Sequence, residues 1–148
     1  KIKRFGYVSR MDNLQAAILN FRLKKLDDVI KKRRRNFKLY KKYLNTNKIF
    51  FSDEKKYQFN TYHTFVIQTD KRDQLKKYLL SKGIETAIHY PIPLHLQPPA
   101  KYLGYKKGSF KITENQAKRI LTLPIHQYLK DNEIKYIADN VNYFHSKK

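Results

Sequence analysis

The sequence predicts an α+β domain in which one long N-terminal helix leads into a small sheet of about three strands, with further helices packed on one side. Three observations support this fold class. Apolar residues recur at helical spacing over residues 13–44, short runs of β-prone residues follow, and the chain closes on another amphipathic helix. The predicted boundary separates residues 1–46 from residues 47–148.

The first element is a helix over residues 13–44, because neither Pro nor Gly interrupts it and Asp12 with Gln15 has the spacing of a capping box. This helix would be roughly 48 Å long, whereas a compact domain of this size has a radius of gyration of only about 15 Å. We therefore expect the helix to extend beyond a lone domain and to link two bodies or pack on a partner chain.

Extended segments come next. Residues 63–68 and 84–89 are β-prone and predict two strands, and residues 120–123 form a third, shorter extended piece. Four prolines in residues 91–108 indicate a loop, and long loops in compact domains are often functional. The last helix is expected to start near Asp131.

Two further helices are predicted between these segments. Residues 72–82 have an amphipathic pattern that stops at Gly83, where a left-handed C-terminal cap is usual. A shorter helix over residues 114–119 is expected to be capped by Thr113 and Gln116.

The composition is strongly basic: 33 Lys and Arg against 12 Asp and Glu give a formal net charge of +21. Such an excess attracts polyanions, and a basic patch would bind nucleic acid in a salt-sensitive manner. The cations are spread over the whole chain, which favours a solvated Lys-rich surface. The basic run at residues 31–35 points all round a helix and forms no single face, so it too favours solvation over nucleic-acid binding.

Several function classes are excluded or unsupported. The chain has no cysteine, which removes disulfides, thiolate zinc sites and cysteine nucleophiles. No G-x-S-x-G or phosphate-binding glycine loop occurs. His89 and His95 lack a third metal ligand, because no Asp or Glu lies between Thr86 and Phe110. No apolar run or signal peptide is present, so we expect a cytoplasmic protein without membrane contact.

Three stretches resemble one known family. Residues 6–19, GYVSRMDNLQAAIL, are similar to a GYNSRMDxLQAAIL signature, and residues 83–97, GIETAIHYPIPLHLQ, to a GIxTxIHYPxPLHLQ stretch. Residues 103–125 are similar to the pattern LGYxxGDFPxTExxxxxxLSLPI. These signatures are those of the DegT/DnrJ/EryC1/StrS aminotransferases, and their order and spacing agree across nearly the whole chain.

The resemblance implies a fold type I enzyme that uses pyridoxal 5'-phosphate to convert a nucleotide-linked keto-sugar to an amino sugar, as in polysaccharide biosynthesis. Glutamate is the family's usual amino donor, and its active sites lie at the interface of a homodimer. Residues 1–46 would then be the end of the large domain with the interdomain helix, and residues 47–148 the small C-terminal domain. The Schiff-base lysine would lie upstream, so we expect no catalytic residue here and no turnover by this chain alone.

The resemblance also implies site residues. Arg10 matches an arginine suited to a phosphate or carboxylate, although an ion pair with Asp12 or another acid is an equal alternative. His89 and Tyr90 match a His-Tyr pair that approaches the sugar, and His95 lies on the same loop. Val8 replaces the asparagine that reaches the cofactor phosphate of the neighbouring subunit, and valine cannot donate that hydrogen bond.

Two other readings remain open. The chain could be a stand-alone basic module that binds nucleic acid or another polyanion, which salt-resistant retention on heparin would favour. It could also be a pairing domain that associates with a complete aminotransferase through its first helix.

Overall fold

The computed structural model describes Gly6 and residues 10–147, and that part of the chain contains five α-helices and one two-stranded sheet. In chain order the elements are α1 (Asn13–Leu23), α2 (Leu26–Tyr43), β1 (Phe65–Gln68), α3 (Arg72–Ser81), α4 (Lys111–Arg119), β2 (Ile120–Leu123) and α5 (Asp131–Ser146). The predicted α+β class is therefore confirmed, while the number of strands and some element bounds differ from the prediction.

The prediction of one continuous helix over residues 13–44 was wrong, because a turn at residues 24–25 separates α1 from α2. The Lys25 N–H bonds to the Arg22 carbonyl, three residues back, at 3.0 Å, so the helical hydrogen bonding tightens and ends there. Two aspartates then occupy the first turn of α2, where acidic side chains interact favourably with the helix N-terminus.

Helix α1 projects away from the core, as the length argument predicted for this part of the chain. None of its residues is buried, and the apolar Leu14, Ile18 and Phe21 are 73%, 49% and 62% exposed. The other end of the long segment behaves differently, because α2 buries Phe37 and Tyr40 and packs against α5.

The core lies between one face of the sheet and helices α2, α3 and α5. The sheet residues Phe65 and Ile67 of β1 and Leu121 and Leu123 of β2 point into it and are almost fully buried. Opposite them, the helices contribute Tyr40, Leu75, Leu79, Ile134, Ala138 and Val141. The apolar period of each element thus matches the face that it buries, and hydrophobic burial holds the fold together.

The sheet has two strands instead of about three. Strand β1 pairs antiparallel with β2, and residues 84–89 add only one bridge, in which Ala87 and Thr122 exchange backbone hydrogen bonds of 2.7 and 3.2 Å. That ladder cannot lengthen, because Pro124 has no N–H to donate and the Ile120 N–H bonds to the Gln116 carbonyl at the end of α4. The predicted strand over 84–89 is therefore an extended segment held at one point.

Two predictions about helix ends had different outcomes. Helix α3 stops before Gly83, which has a φ of +73° as the expected left-handed cap requires. Helix α4 begins at Lys111, three residues earlier than predicted, and Phe110 takes the N-cap position without a side-chain cap. The proposed capping role of Thr113 was therefore wrong, since Thr113 lies within the first turn of the helix.

Candidate functional site

The candidate site is built on the segment that follows Gly83. Ile84 is buried, and its N–H bonds to the Leu79 carbonyl of α3 at 2.9 Å, which anchors the start of the segment. The bridge from Ala87 to Thr122 anchors its middle. The residues that follow leave the sheet edge, so His89 lies where the chain passes from the sheet into the long loop.

His89 and Tyr90 are adjacent and exposed at this edge, joined by a cis peptide bond. His89 Nδ1 lies 3.0 Å from the Thr122 hydroxyl oxygen. The Tyr90 side chain is 74% exposed, and its ring meets the His89 ring edge to face at a centroid distance of 5.5 Å. The pair therefore presents an imidazole and a phenol to solvent, groups that can hydrogen-bond to hydroxyl or phosphate oxygens.

His95 lies in a different environment from His89. Its Nε2 lies 3.0 Å from Glu114 Oε1, and the two side chains are only 8% and 13% exposed. The Phe110 ring covers the imidazole edge to face at 4.8 Å. His95 therefore contacts a carboxylate and an aromatic ring of its own chain and does not face solvent beside His89.

Glu114 is the centre of a network that sequence reasoning missed. Its carboxylate accepts the Gly108 N–H at 2.8 and 2.9 Å and the Phe110 N–H at 3.3 Å, in addition to meeting His95. Burial acts to raise the pKa of Glu114, but the hydrogen bonds from His95 and from the two amides outweigh it, so the net pKa lies below its usual range. One carboxylate thereby ties both ends of the loop to α4.

The loop itself is partly ordered by local structure. It contains two 3₁₀ helices, Leu94–Leu96 and Pro98–Leu103, the second ending at Gly104 with a φ of +74°. Tyr105 packs edge to face on Phe110 at 4.9 Å, which extends the ring cluster that covers His95. The loop is thus fixed on α4 just after the exposed His-Tyr pair.

A cleft of about 720 Å³ opens next to this site, between residues 83–87 and the start of α5. Ile84 and Ile137 contribute to its apolar wall, and Glu85 and Glu133 supply carboxylates. Thr122 also lines the cleft, so the residue that contacts His89 belongs to both features.

The structure does not bring the other sequence-based site residues to this edge. Arg10 is exposed and, among the described residues, forms no ion pair with Asp12 or another acid and no hydrogen bond to the segment of His89. Val8 lies outside the described residues. Across Gly6 and residues 10–147, no three histidine or acidic side chains come together as a possible metal site.

The basic run at residues 31–35 is largely used inside the domain. Arg34 forms a bidentate pair with Glu54 at 2.7 and 2.8 Å, and this pairing lowers the pKa of the Glu54 carboxyl. Arg33 donates to the carbonyls of Tyr62 and His63.

The neighbouring cations of the run are also engaged. Arg35 pairs with Asp131 of α5, and Lys32 pairs with Asp28 at 2.9 Å. The arginines thus hold α2 against the segments around it, and three of the five cations of the run lie against carboxylates, so fewer are available to a polyanion. Separately, none of the described helices is both long and apolar enough to cross a bilayer.

Comparison with known proteins gives a consistent result. Residues 1–142 match the sequence model of the DegT/DnrJ/EryC1/StrS aminotransferase family. A protein of Geobacillus stearothermophilus called pleiotropic regulatory protein is 35% identical over 143 residues, which are 95% of this chain and 38% of the relative. A dTDP-3-amino-3,6-dideoxy-alpha-D-galactopyranose transaminase of Aneurinibacillus thermoaerophilus is 33% identical over 137 residues, which are 93% of this chain and 37% of the relative.

Comparison of the fold with solved structures points to the same family. The crystal structure of DesV from S. venezuelae, in complex with a ketimine intermediate, superposes with a TM-score of 0.88 at 30% sequence identity. The match covers 94% of this chain and 38% of DesV. The chain therefore spans less than two fifths of the length of these relatives. Since the family model matches nearly every residue and the fold agrees, the chain belongs to the DegT/DnrJ/EryC1/StrS aminotransferase family.

Proposed function

We propose that this chain is the C-terminal part of an aminotransferase that uses pyridoxal 5'-phosphate to convert a nucleotide-linked keto-sugar into an amino sugar. Residues 1–46 would be the end of the large domain and the connecting segment, and residues 47–148 the small domain. The observation that carries the proposal is the exposed pair His89 and Tyr90 at the sheet edge, in a chain of this family. The position of the apolar, uncovered α1 supports a connecting role.

In this proposal His89 and Tyr90 bind the sugar part of the substrate. His89 Nδ1 is engaged by Thr122, which leaves Nε2 directed to the ligand, and the Tyr90 hydroxyl offers both a donor and an acceptor. Arg10 would meet a phosphate or carboxylate, because its guanidinium is exposed and carries a bidentate fork of donors. His95 would act through the loop, since Glu114 occupies its Nε2.

The residues present fit a substrate-facing role better than a cofactor-holding one. No lysine or arginine lines the large cleft beside His89, so among the described residues that cleft offers no cation to a cofactor phosphate. When bound, pyridoxal phosphate supplies the electron-withdrawing ring on which an amino group is transferred. We propose that most of its contacts and its lysine come from the remainder of the enzyme, and that this chain alone has no turnover.

The assembly, location and pathway of the complete enzyme are also proposed from the family to which this chain belongs. The complete enzyme would be a cytoplasmic homodimer with glutamate as amino donor, acting in the synthesis of cell-surface polysaccharide or a related sugar. Transaminases of nucleotide-linked sugars among the relatives, such as the one from A. thermoaerophilus, support the substrate class. The polyanion-binding alternative receives no support from the basic run, because its arginines are held by intramolecular partners.

The test is an NMR titration of the chain with a dTDP-linked sugar at millimolar concentration. We expect the ring signals of His89 and Tyr90 to shift, and His89→Ala to abolish the response. His63→Ala is the matched control, because His63 is also exposed but its imidazole lies outside this site. A response that survives His89→Ala, or product formed by the chain with pyridoxal phosphate and glutamate, would contradict the proposal.

A further inference from the structure

We propose that Thr122 is a positioning residue that orients His89 for its ligand. The inference rests on the proposed function, in which His89 binds the sugar, and adds a residue that acts through it. Its basis is the distance of 3.0 Å between the Thr122 hydroxyl oxygen and His89 Nδ1. One ring nitrogen is thereby held on the protein and the other, Nε2, is turned outward.

Thr122 is well suited to this role because its backbone is fixed on both sides. It pairs with Val66 of β1 on one side and with Ala87 on the other. Among the described residues of β2, Thr122 is the position with a partner on each side, and it is only 8% exposed. A hydroxyl on such a residue has little freedom to move, so it can serve as a fixed reference point for a more mobile ring.

Alternation along the strands explains why the two side chains meet. Leu121 and Leu123 point into the core, so Thr122 points to the opposite face. Ala87 is its direct cross-strand neighbour, and His89 is two residues further along the same extended segment. His89 is therefore the diagonal neighbour of Thr122 on that face, a spacing that a long side chain can bridge.

The consequence is chemical as well as geometric. A neutral imidazole has one nitrogen that donates and one that accepts, and the hydrogen bond made by one nitrogen selects the role of the other. A hydroxyl can either donate or accept, so the Thr122 contact holds the rotamer of His89 in either tautomer, and the role that Nδ1 takes sets the opposite role of Nε2. Tyr90 does not share this constraint, since it is 74% exposed and its ring meets the exposed His89 ring.

The experiment compares Thr122→Val, which keeps the shape but loses the hydroxyl, with Thr122→Ser, which keeps the hydroxyl. Three-bond coupling constants measured by NMR report the χ1 rotamer of each histidine side chain. We expect His89 to occupy one rotamer in the wild-type chain and in Thr122→Ser, and several rotamers in Thr122→Val. Thr64→Val is the matched control, because Thr64 is exposed and lies on the chain before β1. The affinity for the dTDP-linked sugar should fall about 3- to 10-fold in Thr122→Val alone.

Several outcomes would overturn the inference. Averaging of the His89 side chain over several rotamers in the wild-type chain would overturn it without any variant, which covers the case in which Thr122→Val does not fold. An unchanged His89 rotamer in a folded Thr122→Val would overturn it as well. The proposed function fails separately: if Thr122→Val alters the His89 rotamer while the sugar never perturbs His89, the positioning contact stands and sugar binding by His89 does not.

Discussion

His95 and Glu114 form a largely buried pair in which the imidazole Nε2 and a carboxylate oxygen are 3.0 Å apart. The same carboxylate binds the amides of Gly108 and Phe110, so a single side chain of α4 fixes both the histidine and the returning end of the loop. In addition to its own two 3₁₀ helices, this loop, which starts directly after the His89–Tyr90 pair, is therefore held by a residue outside it.

Replacing Glu114 by Ala is expected to release the loop. The amides of Gly108 and Phe110 lose their acceptor, so their hydrogen exchange should accelerate at least about 10-fold while amides in β1 remain protected. Exchange measured by NMR tests this directly. Glu85→Ala is the matched control, because Glu85 is exposed and lines the cleft, to which no loop residue contributes. Unaltered exchange at Gly108 would contradict the role given to Glu114.

Acid should loosen the same loop. The pKa of Glu114 in the folded chain is depressed below its usual value of 4.5, so its contribution to stability is present above that value. As the pH falls through the lower folded pKa, the carboxylate is protonated and the contribution is lost. Amide protection of Gly108 should therefore decline in the wild-type chain as the pH falls below 4.5. Glu114→Gln should remove this pH dependence, and a decline that persists in that variant would assign it to another group.

Tyr40→Phe is expected to destabilise the core. The Tyr40 hydroxyl is fully buried and donates to the Pro124 carbonyl at 2.7 Å, and burial raises the pKa of this phenol. Phe keeps the ring but leaves the carbonyl without its donor, so the free energy of unfolding should fall by about 1–2 kcal/mol. Denaturant unfolding measures this free energy. Tyr102→Phe, at a side chain that is 77% exposed, should change stability by less than about 0.5 kcal/mol.

Thr86→Val is expected to preserve or increase stability. The Thr86 hydroxyl oxygen is buried and has no hydrogen-bond partner among the described residues, so its desolvation is not compensated. Valine has the same shape and should raise the free energy of unfolding by up to about 1 kcal/mol. Thr86→Ser, which keeps the hydroxyl and removes a methyl group, should instead lower it by about 1 kcal/mol. A lower free energy of unfolding in Thr86→Val would mean that the Thr86 hydroxyl has a hydrogen-bond partner.

Much of the fold could be predicted from the sequence because its elements bury regular apolar faces. The faces of α2, α3 and α5 and the β-prone runs at β1 and β2 were all identified in this way. Two features could not be found by period alone. The break at residues 24–25 interrupts a helical pattern that has no gap in the sequence. The strand predicted over 84–89 cannot pair further with the β2 segment, because Pro124 has no N–H and the Ile120 N–H bonds to the end of α4.

The candidate site was predictable in part. The resemblance predicts His89 and Tyr90 as site residues, which stays a prediction, and the structure shows that both are exposed. His95 looked equivalent in the sequence, because nothing local shows that Glu114 reaches back across the loop to bind it. Thr122 occupies the position of a serine in the related motif, so retention of a hydroxyl was the available signal, but its contact with His89 depends on strand pairing between distant residues.

The uncovered face of α1 has a consequence for how copies of the chain meet in solution. The formal charge of +21 makes copies repel one another, and this repulsion is screened beyond about 10 Å at 0.1 M ionic strength. Added salt should therefore promote self-association through Leu14, Ile18 and Phe21, which light scattering detects, while it weakens attraction to heparin. A higher ionic strength therefore favours self-association through the apolar residues of α1 and weakens binding to polyanions. A salt series thus distinguishes the two processes.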